Sequence, residues 1–330
     1  MAAKKQPIRL ARGWKKRENL KEVPTRNGYG EALVELGKKD KNIVVLCADL
    51  SESTRSHWFK EQFPDQFVQI GVSEQSMAAI GAGIAMAGKT VFISSYACFS
   101  PGRNWEQLRT TVCLQRANLK VAGAHAGVSV GPDGATHQML EDIALMRVLP
   151  EMRVLVPCDA IEARKATIAA AKMKGPVYVR FAREKSPVFT TEATPFKPGT
   201  AYVFRDGKDV ALIGCGPLVH ECLLAAEELS KTGIEARVIN NASVKPMDEK
   251  TIIKAAKDCG VIVTVEEAQA AAGMGSAVCE LLAEEHPVPV VRIGMQDRYG
   301  ESGNPQELLE YFNLTAPAIV KAAKRVLKKK

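Results

Sequence analysis

Residues Gln69–Ser100 read QIGVSEQSMAAIGAGIAMAGKTVFISSYACFS. The lead-in, FVQIGV from Phe67, is strand-like. EQSMAAIGAGIAMAG, Glu74–Gly88, is apolar and long enough for a helix, and Gly88 supplies its C-cap. TVFISSYACF, Thr90–Phe99, is a second strand. Strand, helix and strand in succession form a crossover unit, which builds a parallel sheet with covered faces. One residue does not suit this unit. Glu74 places a carboxylate at the mouth of the apolar helix. A first-turn acid complements the helix dipole, but no capping box accounts for it, because Ser73 is followed three positions later by Ser76. The start of so apolar a helix lies in the interior or at an interface. A carboxylate there is costly unless protonated, paired or hydrogen-bonded, so Glu74 points to function.

The same alternation extends to both sides. NIVVLCADL, NLKVAGAH, RVLVPCD and PVYVRFA read as buried strands, and DAIEARKATIAAAKM as a helix capped by Asp159. REKSPVFTTEATPFKPGTAYVFRDGKD, with three prolines, breaks the pattern and sets a domain boundary near residue 190. A second run follows: VALIGCG, VHECLLAAEELSKTG, EARVINNASVKPMD, EKTIIKAAKDCG, VIVTVEEAQ, AAAGMGSAVCELLAEE, VPVVRIG and a helical segment from about Pro317. The expected fold is α/β, two consecutive domains with mainly parallel sheets flanked by helices. The expected division is a basic tail over 1–21, one domain over 22–190 and another over 191–330.

Composition narrows the function classes. The chain has 330 residues, 46% of them hydrophobic, enough for two buried cores. Mean hydropathy is −0.09, and no apolar run of membrane-spanning length stands free of charge, so a soluble protein is expected. The net charge of +8 gathers partly at the ends, MAAKKQPIRLARGWKKRENLK and KAAKRVLKKK. The first of these reads as a solvated, partly disordered tail. No CxxC pair, arginine-rich helix or aromatic RNA-binding motif supports a nucleic-acid partner. The eight cysteines are scattered in apolar contexts at no zinc spacing, as in a reducing cytoplasm.

GAHAGVSVGPDGATHQ holds His125, Asp133 and His137 in a Gly-rich loop after a strand. Parallel sheets bind ligands at the carboxyl ends of their strands. The loop has two of the chain's five histidines; a polar substrate suits it better than zinc, for which a third clear ligand is missing. Arg183 ends a strand, where it could meet a phosphate. Arg26 precedes the first helix of the domain and Ser53 follows a strand, so the fold would gather these residues at one edge. GCGPLV and AAAGMGSAV do not spell GxGxxG, so they read as tight packing rather than a dinucleotide site.

GVSEQSM, SSYACFSPGRNWEQLR and DGATHQ together resemble the transketolase family, from about Pro24 to near residue 327. DVALIGCG, INNASVKPMDE, TVEEAQAAAGMGSAV and RIGMQDRYGESG resemble its last domain, a pattern shared with deoxyxylulose-phosphate synthases. Within the family the resemblance is to the separate C-terminal subunit of two-subunit forms. It implies thiamine diphosphate as cofactor, with Glu74 hydrogen-bonded to N1′ of the aminopyrimidine and Tyr96 and Phe99 stacked on that ring. The bond favours the imino tautomer, whose nitrogen takes the proton from thiazolium C2. His137 would lie near the donor's C1 hydroxyl and carbonyl, and Asp133 would read the acceptor's C2 hydroxyl. His125, Arg26, Ser53 and Arg183 would hold the sugar phosphate, and Asp49 would lie at the cofactor-side dimer contact.

The implied reaction moves a two-carbon ketol unit from a ketose phosphate to an aldose phosphate. The sequence departs from the family at Gly102, where a third stacking aromatic is expected, and lacks a Gly-Asp-Gly motif with its downstream Asn. The resemblance therefore assigns no metal ligand to this chain. It puts Mg²⁺ and diphosphate on an N-terminal partner subunit, with a homodimer of this chain inside a heterotetramer, inactive without the partner. Three alternatives stay open: part of a deoxyxylulose-phosphate synthase, a 2-oxo acid dehydrogenase β subunit, and a non-catalytic scaffold subunit.

Overall fold

The computed structural model describes residues 8 and 10–330. Strands in chain order are β1 (Glu22–Pro24), β2 (Ile43–Cys47), β3 (Phe67–Gln69), β4 (Thr90–Ser95), β5 (Leu119–Ala124), β6 (Arg153–Leu155) and β7 (Val177–Phe181). They continue as β8 (Lys185–Pro187), β9 (Tyr202–Arg205), β10 (Val210–Gly214), β11 (Ala236–Asn240), β12 (Ser243–Lys245), β13 (Ile262–Gln269) and β14 (Val290–Met295). The fold is α/β. A seven-stranded sheet has the order β12-β6-β7-β5-β4-β2-β3, and a five-stranded sheet the order β14-β13-β10-β11-β9. Within the first, every pairing is parallel except that of β12 with β6. Within the second, only β9 runs antiparallel to its neighbour. All of β4 and β5 is buried, because helices cover both faces of a parallel sheet; that is why these strands are nearly continuous apolar runs.

The apolar segment after Ser73 is a helix over Glu74–Met86. Asp159 caps the Ala160–Lys172 helix, its Oδ1 accepting the Glu162 N–H at 3.0 Å. One stretch gains elements that the sequence did not show, and two expectations are corrected. The proline-bearing stretch 183–209 contains β8, which pairs with β1, and β9, an edge strand of the second sheet. Strands so short, at edges and beside prolines, leave no period to read. EARVINNASVKPMD divides into β11 and β12, which join different sheets. The second half of the chain thus completes the sheet of the first.

The basic start is not a solvated tail over residues 10–21. Leu10, Trp14 and Leu20 pack on the second sheet's core. The Trp14 carbonyl lies 2.8 Å from His220 Nε2, and Arg17 Nη1 donates to Gln306 at 2.8 Å. Three spaced apolar side chains among the charges supply the burial that the charge count hid. The rest of that expectation falls on residues 1–7 and 9, outside the described residues. Among the described residues no helix is long and apolar enough to cross a membrane.

Candidate active site

Strands β7, β5, β4, β2 and β3 are neighbours in the sheet, so their carboxyl ends lie side by side. Arg183 comes two residues after β7, and His125 and Tyr96 immediately after β5 and β4. Ser53 sits in the Ser51–Thr54 turn of helix after β2, and Glu74 opens the helix after β3. Arg26, read as preceding a helix, is its second residue, in Thr25–Lys39. Edge placement of this kind is where parallel sheets bind ligands.

Glu74 is 1% exposed. Its Oε1 accepts from the Ser95 hydroxyl at 3.2 Å, and its Oε2 accepts from Arg103 Nη1 at 2.7 Å. Asn104 Nδ2 donates to the Glu74 backbone carbonyl at 3.1 Å, fixing the helix start. The carboxylate is therefore paired and hydrogen-bonded, as burial requires. Beside it the Tyr96 and Phe99 rings are nearly parallel, 6° apart with centroids 6.3 Å apart. The His137 ring stands edge-on to both, at 5.7 and 5.6 Å. Gly102 belongs to the same tight turn, and a Cβ there would meet the Cys98 carbonyl oxygen at 2.0 Å. The backbone thus rules out an aromatic at this position.

A cationic group lies next to the aromatics. Arg26 Nη1 donates to the Ser53 carbonyl at 2.8 Å and to His125 Nε2 at 3.3 Å. His125 also packs 4.6 Å from the Tyr96 ring, and the Tyr96 hydroxyl reaches Ser53 Oγ at 3.4 Å. Burial, and then Arg26, Arg183 and Arg55, push His125 well below its ordinary value. Burial, then Arg55 and Arg183, lower Arg26 to about 10. Each cation makes its neighbours' charge costlier, which an anion among them would relieve. Arg183 pairs with Asp133 at 2.6 Å, which raises Arg183. Asp49 stands apart; exposed and in the left-handed region at φ 58°, it is tied through its backbone N–H to Gln69 Oε1 at 2.9 Å.

Sequence reasoning missed Arg103, Ser95 and the support under the histidine loop. Glu267 of β13 accepts the Ser129 N–H at 2.7 Å, and Gln138 donates to the Val128 and Glu301 carbonyls at 3.0 and 2.8 Å. Arg180 Nε donates to Asp142 at 2.7 Å, and its Nη2 to the Glu267 carbonyl at 2.8 Å. Arg103 falls within SSYACFSPGRNWEQLR, but its partner lies 29 positions away. Nothing local marks such a pair.

The chain matches the family described as transketolase, pyrimidine binding domain, over residues 21–188, and transketolase, C-terminal domain, over 199–319. The chain belongs to the transketolase family. A relative in Methanocaldococcus jannaschii, named as a transketolase C-terminal section, is 43% identical over 92% of this chain and 96% of its own. The 6-deoxy-6-sulfo-D-fructose transketolase subunit SqwH of Clostridium sp. is 38% identical over 94% of this chain and 97% of its own. A solved structure described as a split-gene transketolase, inactive β4 tetramer, superposes with a TM-score of 0.87 at 43% identity, covering 93% of this chain and 99% of that one. The chain spans about half the length of a transketolase from Mus musculus and a 1-deoxy-D-xylulose-5-phosphate synthase from Desulfitobacterium hafniense that it also matches.

For this transketolase-family chain the pyrimidine-binding domain implies dependence on thiamine diphosphate. The residues fit the ring end of that cofactor, since a buried carboxylate is joined through Arg103 to a parallel aromatic pair. Among the described residues no three His, Cys, Asp or Glu converge as a ligand set.

Proposed function

We propose that this chain, joined by a second subunit carrying the diphosphate and Mg²⁺ site, transfers a two-carbon ketol unit from a ketose phosphate to an aldose phosphate. The observation that carries the reading is Glu74, buried at a helix mouth beside the Tyr96–Phe99 pair, on the same sheet edge as the Arg26–His125 cluster. Glu74 would hold the aminopyrimidine, with Tyr96 and Phe99 as its aromatic wall. When bound, the cofactor supplies a carbon nucleophile and an electron sink. His137, edge-on to both rings, would face the donor's C1 hydroxyl and carbonyl. His125, Arg26, Ser53 and Arg183 would hold the phosphate, and Asp133 would read the acceptor's C2 hydroxyl. Asp133 and Arg183 pair with each other here, so a substrate using both must divide that pair. Asp49 would serve the contact between subunits.

Two copies of this chain would pair through the Glu74–Met86 helix and flank two partner subunits, in the cytoplasm. The solved relative's description as an inactive tetramer supports inactivity of this chain alone. The test is reconstitution: this chain, a candidate N-terminal subunit, thiamine diphosphate and Mg²⁺, with ketol transfer from xylulose 5-phosphate to ribose 5-phosphate as readout. Activity is expected only in the mixture. Glu74→Ala should lower it by roughly 10²–10⁴-fold, the span of a lost proton-transfer group, with assembly intact. Activity of Glu74→Ala equal to wild type would reject the role of Glu74. Pyruvate decarboxylation in place of ketol transfer would move the assignment to a synthase or 2-oxo acid enzyme.

A further inference from the structure

The Arg103 guanidinium makes two contacts at once. Its Nη1 donates to Glu74 Oε2 at 2.7 Å, and its Cζ lies 4.7 Å from the Phe99 ring centroid. A flat delocalised cation, with an N–H aimed at Glu74 and its central carbon over Phe99, fills the position an aminopyrimidine would need between the same two residues. The partners differ in exposure. The Glu74 side chain is 1% exposed and that of Arg103 is 47% exposed, so a flexible stem reaches from solvent to a fixed carboxylate. Among the described residues the carboxylate's other bond is the longer one from Ser95, at 3.2 Å. Without Arg103, Glu74 would be a buried charge with no counter-ion, a costly state. The backbone at Gly102 excludes a further aromatic, and Arg103 covers Phe99 instead.

We propose that Arg103 is a placeholder: in the chain without cofactor it occupies the aminopyrimidine's seat, neutralises Glu74, and swings to solvent when the ring enters. The inference rests on the reading of Glu74 as the ring's partner. It follows that the ring binds only the fraction of molecules in which Arg103 has left, so its apparent affinity is reduced by that fraction. Arginine suits the role because its guanidinium pairs with a carboxylate and stacks on an aromatic face together, which an ammonium cannot do.

The test uses the full-length chain and the ring half of the cofactor, 4-amino-5-hydroxymethyl-2-methylpyrimidine, titrated by ligand-observed NMR. Wild type, R103M, R103K and E74Q are compared, with circular dichroism and thermal midpoints recording the fold. R103M is expected to bind the ring about tenfold more tightly than wild type, as for a seat vacated in advance. R103K, which keeps the charge and loses the flat face, should fall between them, and E74Q should lose binding. R103M should also melt below wild type and recover when the ring is added. Binding by R103M equal to or weaker than wild type would overturn the placeholder and make Arg103 a wall of the site. Absence of binding by every protein would overturn the reading of Glu74 as well. R103K alone still decides the matter if R103M does not fold, since it must bind more tightly than wild type.

Discussion

His125 shows how the site's charges set its behaviour. It is fully buried, and since Arg26 donates to its Nε2 the ring proton sits on Nδ1, which has no partner among the described residues. A buried donor without an acceptor is a costly arrangement, and an oxygen of a bound substrate would satisfy it. Burial and three arginines hold His125 well below the value of about 6.5 that it has in the unfolded chain. Below that pH the unfolded chain gains a proton the native site refuses, so native stability is present above it and lost as pH falls. One such group changes stability by at most about 1.4 kcal/mol per pH unit. Glu162 and Glu266, both raised to about 7 mainly by burial, act in the opposite direction. The informative quantity is therefore the difference between wild type and His125→Asn. We expect wild type to lose more thermal stability between pH 7.5 and 5.5 than the variant; parallel curves would reject a neutral buried His125. The sequence marked Glu74 because a carboxylate opening an apolar helix is locally odd. It did not mark Arg103, since a charge pair formed through the fold leaves no local trace.

At the scale of elements, the segment from Gly127 to Gln138 is held from below. Gly127, at φ 94°, passes so close to Glu267 that a Cβ would meet its Oε1 at 2.2 Å, and Ser129 donates its N–H to the same oxygen. The Glu267 carboxylate, raised mainly by burial, therefore positions the loop that bears Asp133 and His137. Glu267→Ala should lower kcat/KM of the reconstituted enzyme by about 10²-fold, the effect of misplacing reacting groups by an ångström. Assembly should be unchanged, and a loss below twofold would mean the loop holds itself. The longer elements were legible because apolar runs, Gly stops and the Asp159 cap agree with one another. β8, β9 and β12 were not, because each pairs antiparallel with a strand distant in sequence and is chosen by that neighbour rather than by its own pattern. The histidine loop was legible as polar residues gathered at a strand end, yet its support was not, because Glu267 reads as one more acid in a strand.

For the whole molecule, the Glu74–Met86 helix leaves Ile80 45% and Met86 64% exposed, and Leu114, from the turn packed beside it, 79% exposed. Apolar side chains so exposed near one another suit an interface between copies. Ile80→Glu with Met86→Lys should shift the chain toward monomer in sedimentation velocity while its circular dichroism stays native; an unchanged sedimentation coefficient would place the contact elsewhere. The other surface that binds the molecule together is internal. β12, residues 243–245, pairs with β6 at the margin of the first sheet. A nascent chain leaves the ribosome N-terminus first, and until residue 245 has emerged β6 offers an open row of amide and carbonyl groups. Such a row recruits whatever strand is near. Synthesis of this protein therefore includes an interval, spanning the translation of the linker and β9–β11, in which β6 lacks the strand that covers its outer side. A ribosomal pause there would favour aggregation more than the same pause after residue 245.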